Sequence, residues 1–230
     1  MAVTFSLGRW QLARAAEKQA LQTALAERAR LPALDAAALT TYLSSPPPDE
    51  RLHRRIQLGG HWLAEHTVFL DNRPLHGQSG FIVLTPLRLE GGAGAPDRVV
   101  LVQRGWAPRN FAEREALPPV QTPPGAVQIS GRLAERVPAA FALGQEGGGH
   151  IRQNLDLPGF RSETGLPLAG LVVVQTGEPS DGLRRDWPAP DTGIEKHYGY
   201  AFQWFGLCAL MGLLFVWFQV VQPLQESSRR

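Results

Sequence analysis

A run without charge near the carboxyl end constrains this chain more than any other feature. From Tyr200 to Val221 it reads YAFQWFGLCALMGLLFVWFQVV, and its only strongly polar side chains, Gln203 and Gln219, stand near the two ends. Wound as a helix, these 22 residues rise about 33 Å, enough to cross a hydrocarbon core of roughly 30 Å. Tyr198, Tyr200 and Trp204 at one end and Trp217 near the other form the aromatic girdle expected of a membrane span. A buried core helix is the competing reading. The segment is apolar all round and close to the carboxyl end, which favours the bilayer. Lys196, Arg184 and Arg185 on one flank balance Arg229 and Arg230 on the other, so the positive-inside rule selects no orientation. At the amino end MAVTFSL offers one apolar heptapeptide, too short to span or to serve as a signal peptide.

The rest of the chain divides by period. Residues 9–30 are rich in Ala, Leu, Glu, Gln and Arg and contain no Gly or Pro, so they are expected to be helical. Leu21 and Leu25 give that helix a narrow apolar stripe, as suits a solvated element near the membrane surface. Asp35 can cap a short helix over 36–43, and SSPPPDE at 44–50 breaks the chain. Beyond it the period becomes two. Strands are expected at 54–58, 67–70, 81–89, 99–104, 127–135, 151–155 and 171–175, with a short helix from Asn110 to Leu117. With 24 glycines and 19 prolines, turns are frequent and long helices are absent between the strands. The expected fold is α+β: an antiparallel sheet or partly open barrel, an N-terminal helix and a C-terminal transmembrane helix. The expected organisation is an N-terminal juxtamembrane helical segment at 1–45, a sheet-rich extramembrane domain at 46–199, the span at 200–221 and a polar tail at 222–230.

Several kinds of chemistry find no support. A formal net charge of +2 without a basic block excludes a dedicated nucleic-acid binder. The single cysteine, Cys208, excludes internal disulfides and paired-Cys metal motifs. His61 and His66 are five residues apart, whereas a zincin pair needs one helical turn with Glu after the first His. GQSG at 77–80 lacks the second glycine of a nucleophile elbow and leads into a strand. The runs GGAG and EGGG lack the Lys-Ser/Thr of a phosphate loop. No acid/base pair or nucleophile constellation stands out, so the expectation is a protein that is not an enzyme and holds no metal through a dedicated ligand set.

Two Arg-aromatic or His-aromatic patches carry more information. Gln103-Arg104-Gly105-Trp106-Ala107-Pro108 ends a strand, where Gly105 permits a bulge that re-aims Trp106. It is read either as a strand end closing over the core or as an interaction site. The second patch, Glu195 to Phe205, is the entry to the span. On a helix His197, Tyr200, Ala201, Trp204, Cys208, Met211 and Phe215 share a face. This face is read either as an ordinary interfacial anchor or as a seat for a flat hydrophobic cofactor, haem being the natural one for an imidazole.

The order of these patches resembles the surfeit locus protein 1 family of cytochrome c oxidase assembly proteins. The matching pieces are Leu7-Gly8-Arg9-Trp10-Gln11 with Arg14 and Lys18; Asn72-Arg73, Gly77, Gly80 and Thr85-Pro86-Leu87; Arg104-Gly105-Trp106 with Pro108; and Lys196-His197 with Tyr200-Ala201 and Gln203-Trp204-Phe205. The resemblance implies a membrane-anchored assembly factor that helps form the oxidase catalytic subunit or its assembly intermediates. It implies a bacterial inner (cell) membrane location, a sheet domain in the periplasm and, in some members, the carriage or hand-over of haem a. The haem ligand implied is His197. Trp10, Arg104, Gly105, Trp106, Tyr200 and Trp204 carry over as residues of the family pattern. A membrane-tethered interaction module or accessory subunit without cofactor is the alternative. The resemblance also implies a first span just before Gly8, so either the true start lies upstream of Met1, which is the favoured expectation, or this member has lost that helix.

Overall fold

The computed structural model consists of two compact units, Arg28–Pro188 and the combination of Met1–Glu27 with Ala189–Arg230. It describes residues 1–44, 52–90, 98–110, 113, 116–137, 149–187 and 193–222.

The larger unit is made of short strands that close on themselves. In chain order it holds α2 (Ala36–Ser44), β1 (Arg55–Trp62), β2 (Val68–Leu70), β3 (Gly80–Leu89), β4 (Val99–Pro108), β5 (Ala126–Ala134), β6 (Ile151–Arg152), α3 (Leu157–Thr164) and β7 (Leu168–Gln175). The strand order is β1-β5-β7-β4-β3-β2-β6, and β1 also pairs with β3. That last pairing closes β1, β5, β7, β4 and β3 into a five-stranded barrel, with β2 and β6 as an extension. One strand serves two neighbours. Leu87 and Leu89 of β3 lie opposite Trp62 and Gly60 of β1, while Ile82 and Leu84 lie opposite Leu70 and Val68 of β2. The expected α+β barrel is thus present. Two of its pairings, β4 with β7 and β2 with β6, are parallel rather than antiparallel. Alternating hydrophobicity carries no sign of strand direction, so this was outside the reach of the period-two pattern.

Strands β3, β4 and β7 contribute to both of two cores, whereas β1 and β5 contribute to one. Ile56, Leu87, Val100, Val102, Leu133 and Val173 come from all five ring strands and form one buried cluster, against which Leu39 of α2 packs. Leu70, Ile82, Leu101, Trp106 and Val172 form a second with Phe160 of α3. Strands β3 and β4 are buried on both faces, which explains their near-continuous apolar runs. Asp35 caps α2 as expected, its Oδ1 accepting from the Ala38 N–H at 2.7 Å. Helix α3 was not foreseen. Its signals are local: Asp156 accepts from the Gly159 N–H at 2.9 Å, a proline occupies the first turn, and Gly165 ends it at φ 68°. The helix expected over 110–117 and the break at 44–50 fall largely outside the described residues.

The smaller unit contains most of α1 (Ala2–Arg30), as far as Glu27, and α4 (Ile194–Val216), the latter continued by a π-helical turn at Trp217–Val221. They run antiparallel. The Cys208 thiol lies 3.5 Å from the Met1 carbonyl, and the Phe5 and Phe205 rings meet edge-on at 5.6 Å. Farther along, the Tyr198 hydroxyl donates to Gln19 at 3.5 Å. Helix α1 begins at Ala2 rather than Arg9. Its packed stripe is not the expected Leu21–Leu25 edge: Leu21 is 58% exposed, while Gly8 and Ala15 are buried. Small residues let two helix backbones approach closely, the packing favoured where water is absent. On α4, Ala201 is the one buried residue among those described, and Phe202 is 80% exposed. That profile is opposite to a core helix. Ile194–Gln219 is long and apolar enough to cross a membrane, which is compatible with anchoring.

Candidate functional site on the paired helices

The two helices bring together two sequence patches far apart in the chain. Gly193, at φ 58°, turns the backbone into α4, and Glu195 in the first turn suits the positive end of the helix dipole. His197 follows on the side facing α1. Its Nδ1 lies 2.6 Å from Gln11 Oε1. One turn before Gln11, Gly8 sits against Phe205 so closely that a Cβ would come within 2.7 Å of the ring. Glycine at this position therefore sets the helix separation that the 2.6 Å bond requires.

The level of His197 is also a boundary of polarity. On α1 residues 1–8 bear no charged side chain, and Arg9, Arg14, Glu17 and Lys18 follow. On α4 the charges end at Lys196 and none occurs again through Val216. Trp10, Tyr198 and Tyr200 are about half exposed at this level. Amphipathic aromatics at a change from charged to apolar surface are the usual mark of a membrane–water interface. The helical face expected from the sequence is divided by α1. Ala201 is buried and His197, Trp204 and Cys208 are half-buried, whereas Tyr200, Met211 and Phe215 remain open. Gln11, which the sequence reading placed in the pattern without a role, is the residue that reaches the imidazole.

The second patch lies wholly within the larger unit. Val83 pairs with Gly105 and Leu84 with Gln103, which leaves Arg104 as the extra residue of a β-bulge. The bulge sends Arg104 and Trp106 into the protein, where they are 0% and 1% exposed. Arg104 stacks 4.5 Å over the Trp62 ring and donates to the Gln121 carbonyl at 2.7 Å, Thr122 Oγ1 at 2.8 Å and Asp181 at 3.1 Å. Burial holds its guanidinium below the usual range, an effect opposed by the Asp181 carboxylate. Trp106 Nε1 donates to the Arg73 carbonyl at 2.6 Å, and Arg184 lies over its ring. The backbones of Trp106 and Arg184 bond in both directions, at 2.8 and 2.9 Å. Of the two readings of this motif, strand closure over the core fits this geometry: it ties the 71–80 loop and the 181–187 segment to β4.

The remaining histidines are dispersed. His61 is exposed on β1, and His76 Nε2 pairs with Asp186 at 2.8 Å. His66 and His150 line an open pocket of about 220 Å³ with Arg152, Phe160 and Glu163. There His150 Nδ1 is bonded to the Thr67 carbonyl at 2.8 Å, and Arg152 engages Glu163 through both guanidinium nitrogens. That pairing holds the Glu163 carboxyl below its ordinary range. Among the described residues no three His, Cys, Asp or Glu side chains group to hold a metal.

Comparison with known proteins covers both units. The profile of the SURF1 family matches residues 1–209. A SURF1-like protein of Rickettsia bellii is 24% identical over 219 residues, 91% of this chain and 83% of the relative. A SURF1-like protein of Rickettsia felis is 22% identical over 222 residues, 93% and 91% of the two chains. The surfeit locus protein 1 of Arabidopsis thaliana is 31% identical over 122 residues, 49% of this chain and 33% of the plant protein.

Proposed function

The chain belongs to the SURF1 family, and from that premise we propose that it is a membrane-anchored assembly factor for cytochrome c oxidase, with His197 as an axial ligand for haem a. Membership is consistent with a role in oxidase assembly. The finer reading places α4 in the bacterial inner membrane and the barrel in the periplasm. There the protein holds the oxidase catalytic subunit or an assembly intermediate without catalysing a reaction of its own.

The observation that carries the cofactor half is the environment of His197. Among the described residues Gln11 occupies Nδ1 and nothing bonds Nε2. The open flank of α4 beyond it, with Tyr200, Met211 and Phe215 exposed, offers apolar surface for a flat macrocycle. An imidazole nitrogen beside such a surface fits haem. If haem a binds there, His197 would hold it through Nε2, and the group would supply an iron able to take that nitrogen. The chain's own residues would orient the imidazole from α1, shield one edge through Trp204 and hold the assembly at the interface through Trp10 and Tyr198.

Haem a added to purified protein in detergent should give an axial-histidine absorption spectrum that His197→Ala removes. A spectrum indifferent to His197→Ala removes the cofactor from the proposal. A protein that stays colourless, yet is still required for oxidase assembly in cells, points to the interaction module without cofactor.

A further inference from the structure

We propose that Gln11 is a positioning residue that fixes His197 as the Nδ1–H tautomer, so that Nε2 carries its one free lone pair. The argument begins with the 2.6 Å contact between His197 Nδ1 and Gln11 Oε1. An amide oxygen only accepts, so the imidazole must donate from Nδ1. The other neutral tautomer would set two lone pairs against each other at that distance. Free neutral histidine prefers its proton on Nε2, so the helix pair reverses an intrinsic preference.

The choice of amide matters. A carboxylate at this position would also accept from Nδ1, but it would stabilise the imidazolium, whose second proton blocks Nε2. A neutral acceptor orients the ring without placing a charge beside it. Position matters equally. Gln11 lies between Gly8 and Ala15 on the buried stripe of α1, and both are too small to hold the helices apart. Gly8 against Phe205 fixes the separation, and Gln11 spans what remains. Metal-binding histidines generally donate their second ring nitrogen to such an outer partner, and losing it typically weakens ligation 10- to 100-fold. The significance for iron rests on the haem reading above; the tautomer itself needs no cofactor.

The test uses the full chain, isotopically labelled at the histidine nitrogens, in detergent micelles without cofactor. Long-range proton–nitrogen correlation spectra identify the protonated nitrogen, and His197→Ala identifies which of the six histidines is read. In the wild type at neutral to mildly alkaline pH, Nδ1 should be protonated and Nε2 bare. Gln11→Leu should shift the population toward Nε2–H, and Gln11→Glu should restore Nδ1–H. A merely structural role predicts no difference in tautomer between Gln11→Leu and Gln11→Glu when circular dichroism shows both folded. Nε2–H in the wild type, or an unchanged tautomer in Gln11→Leu, overturns the proposal. Haem a titration of the same variants separates the two ideas. If His197-dependent binding persists undiminished in Gln11→Leu, positioning falls and the haem reading stands. If the tautomer follows Gln11 but no haem a binds, the haem reading falls and the tautomer assignment stands.

Discussion

Arg104 illustrates how one residue can be part of a family pattern and yet serve the interior. A guanidinium with no exposed surface is costly to desolvate, and here several groups offset the cost: two oxygens of the 121–122 segment, Asp181 and the Trp62 face. Arg104→Ala removes one side of this arrangement and leaves Asp181 beside Arg185 at 3.5 Å. The change should lower the unfolding free energy of the full chain in detergent by about 3 kcal/mol, read from the denaturant midpoint. His53 makes a different residue-scale prediction. Burial, then Arg132 and Arg28, hold its imidazole below the ordinary 6.5. A depressed folded pKa means that the unfolded chain binds the proton first. The stability associated with neutral His53 is complete above pH 6.5 and is lost as pH falls toward the folded value. His53 also sits at φ 67°, so asparagine is the replacement best suited to its backbone. The melting temperature of the wild type should fall between pH 7 and pH 5.5, and His53→Asn should flatten that fall. Equal slopes in both proteins would remove His53 as the cause.

At the scale of elements, the helix pair depends on close approach, and Gly8 is where a substitution should act. A side chain there meets the Phe205 ring. Gly8→Val should push α1 from α4 at the end where Cys208 touches Met1. Cys208 is the chain's single cysteine, so its rate of reaction with a membrane-permeant maleimide reports this seam directly. The rate should rise several-fold in Gly8→Val, and an unchanged rate would mean that the ring turns aside and the seam survives. This seam also marks how far the sequence could be read. The strands β3 and β4, the cap of α2 and the apolar length of α4 were legible, because each depends on a local pattern of burial or capping. The packed face of α1 was not, because the contact is made by glycine, alanine and glutamine rather than by large apolar side chains. The parallel pairing of β4 with β7 was hidden for a related reason: direction belongs to the partner strand and leaves no mark on either one. The bulge at Arg104 was readable from Gly105, but its consequence, two large side chains turned into the core, required the 181–187 segment that lies far away in sequence.

At the scale of the whole molecule, the two units rest on different physics. The barrel unit buries leucine and valine on both faces of its central strands, and its ring leaves no open edge among β1, β5, β7, β4 and β3. Closure removes the unpaired strand edges through which sheets aggregate, and the hydrophobic effect in water suffices to hold such a unit together. The helical unit exposes Phe202, Leu213, Phe215 and Phe218, a surface that water penalises and hydrocarbon accepts. The units should therefore separate by solvent. Residues 28–188 produced alone should be soluble without detergent, monomeric and cooperative in thermal unfolding. The full chain should remain with membranes after an alkaline carbonate wash and leave them only with detergent. The reciprocal change tests the same claim from the other side: Leu210→Arg with Leu213→Arg places two charges in the apolar run and should move the full chain toward the soluble fraction, at a cost of about 3 kcal/mol for each arginine near the bilayer centre. Aggregation of 28–188 would show that the barrel needs the helices to fold. A doubly substituted chain still fixed in carbonate-washed membranes would show that something other than α4 holds it there.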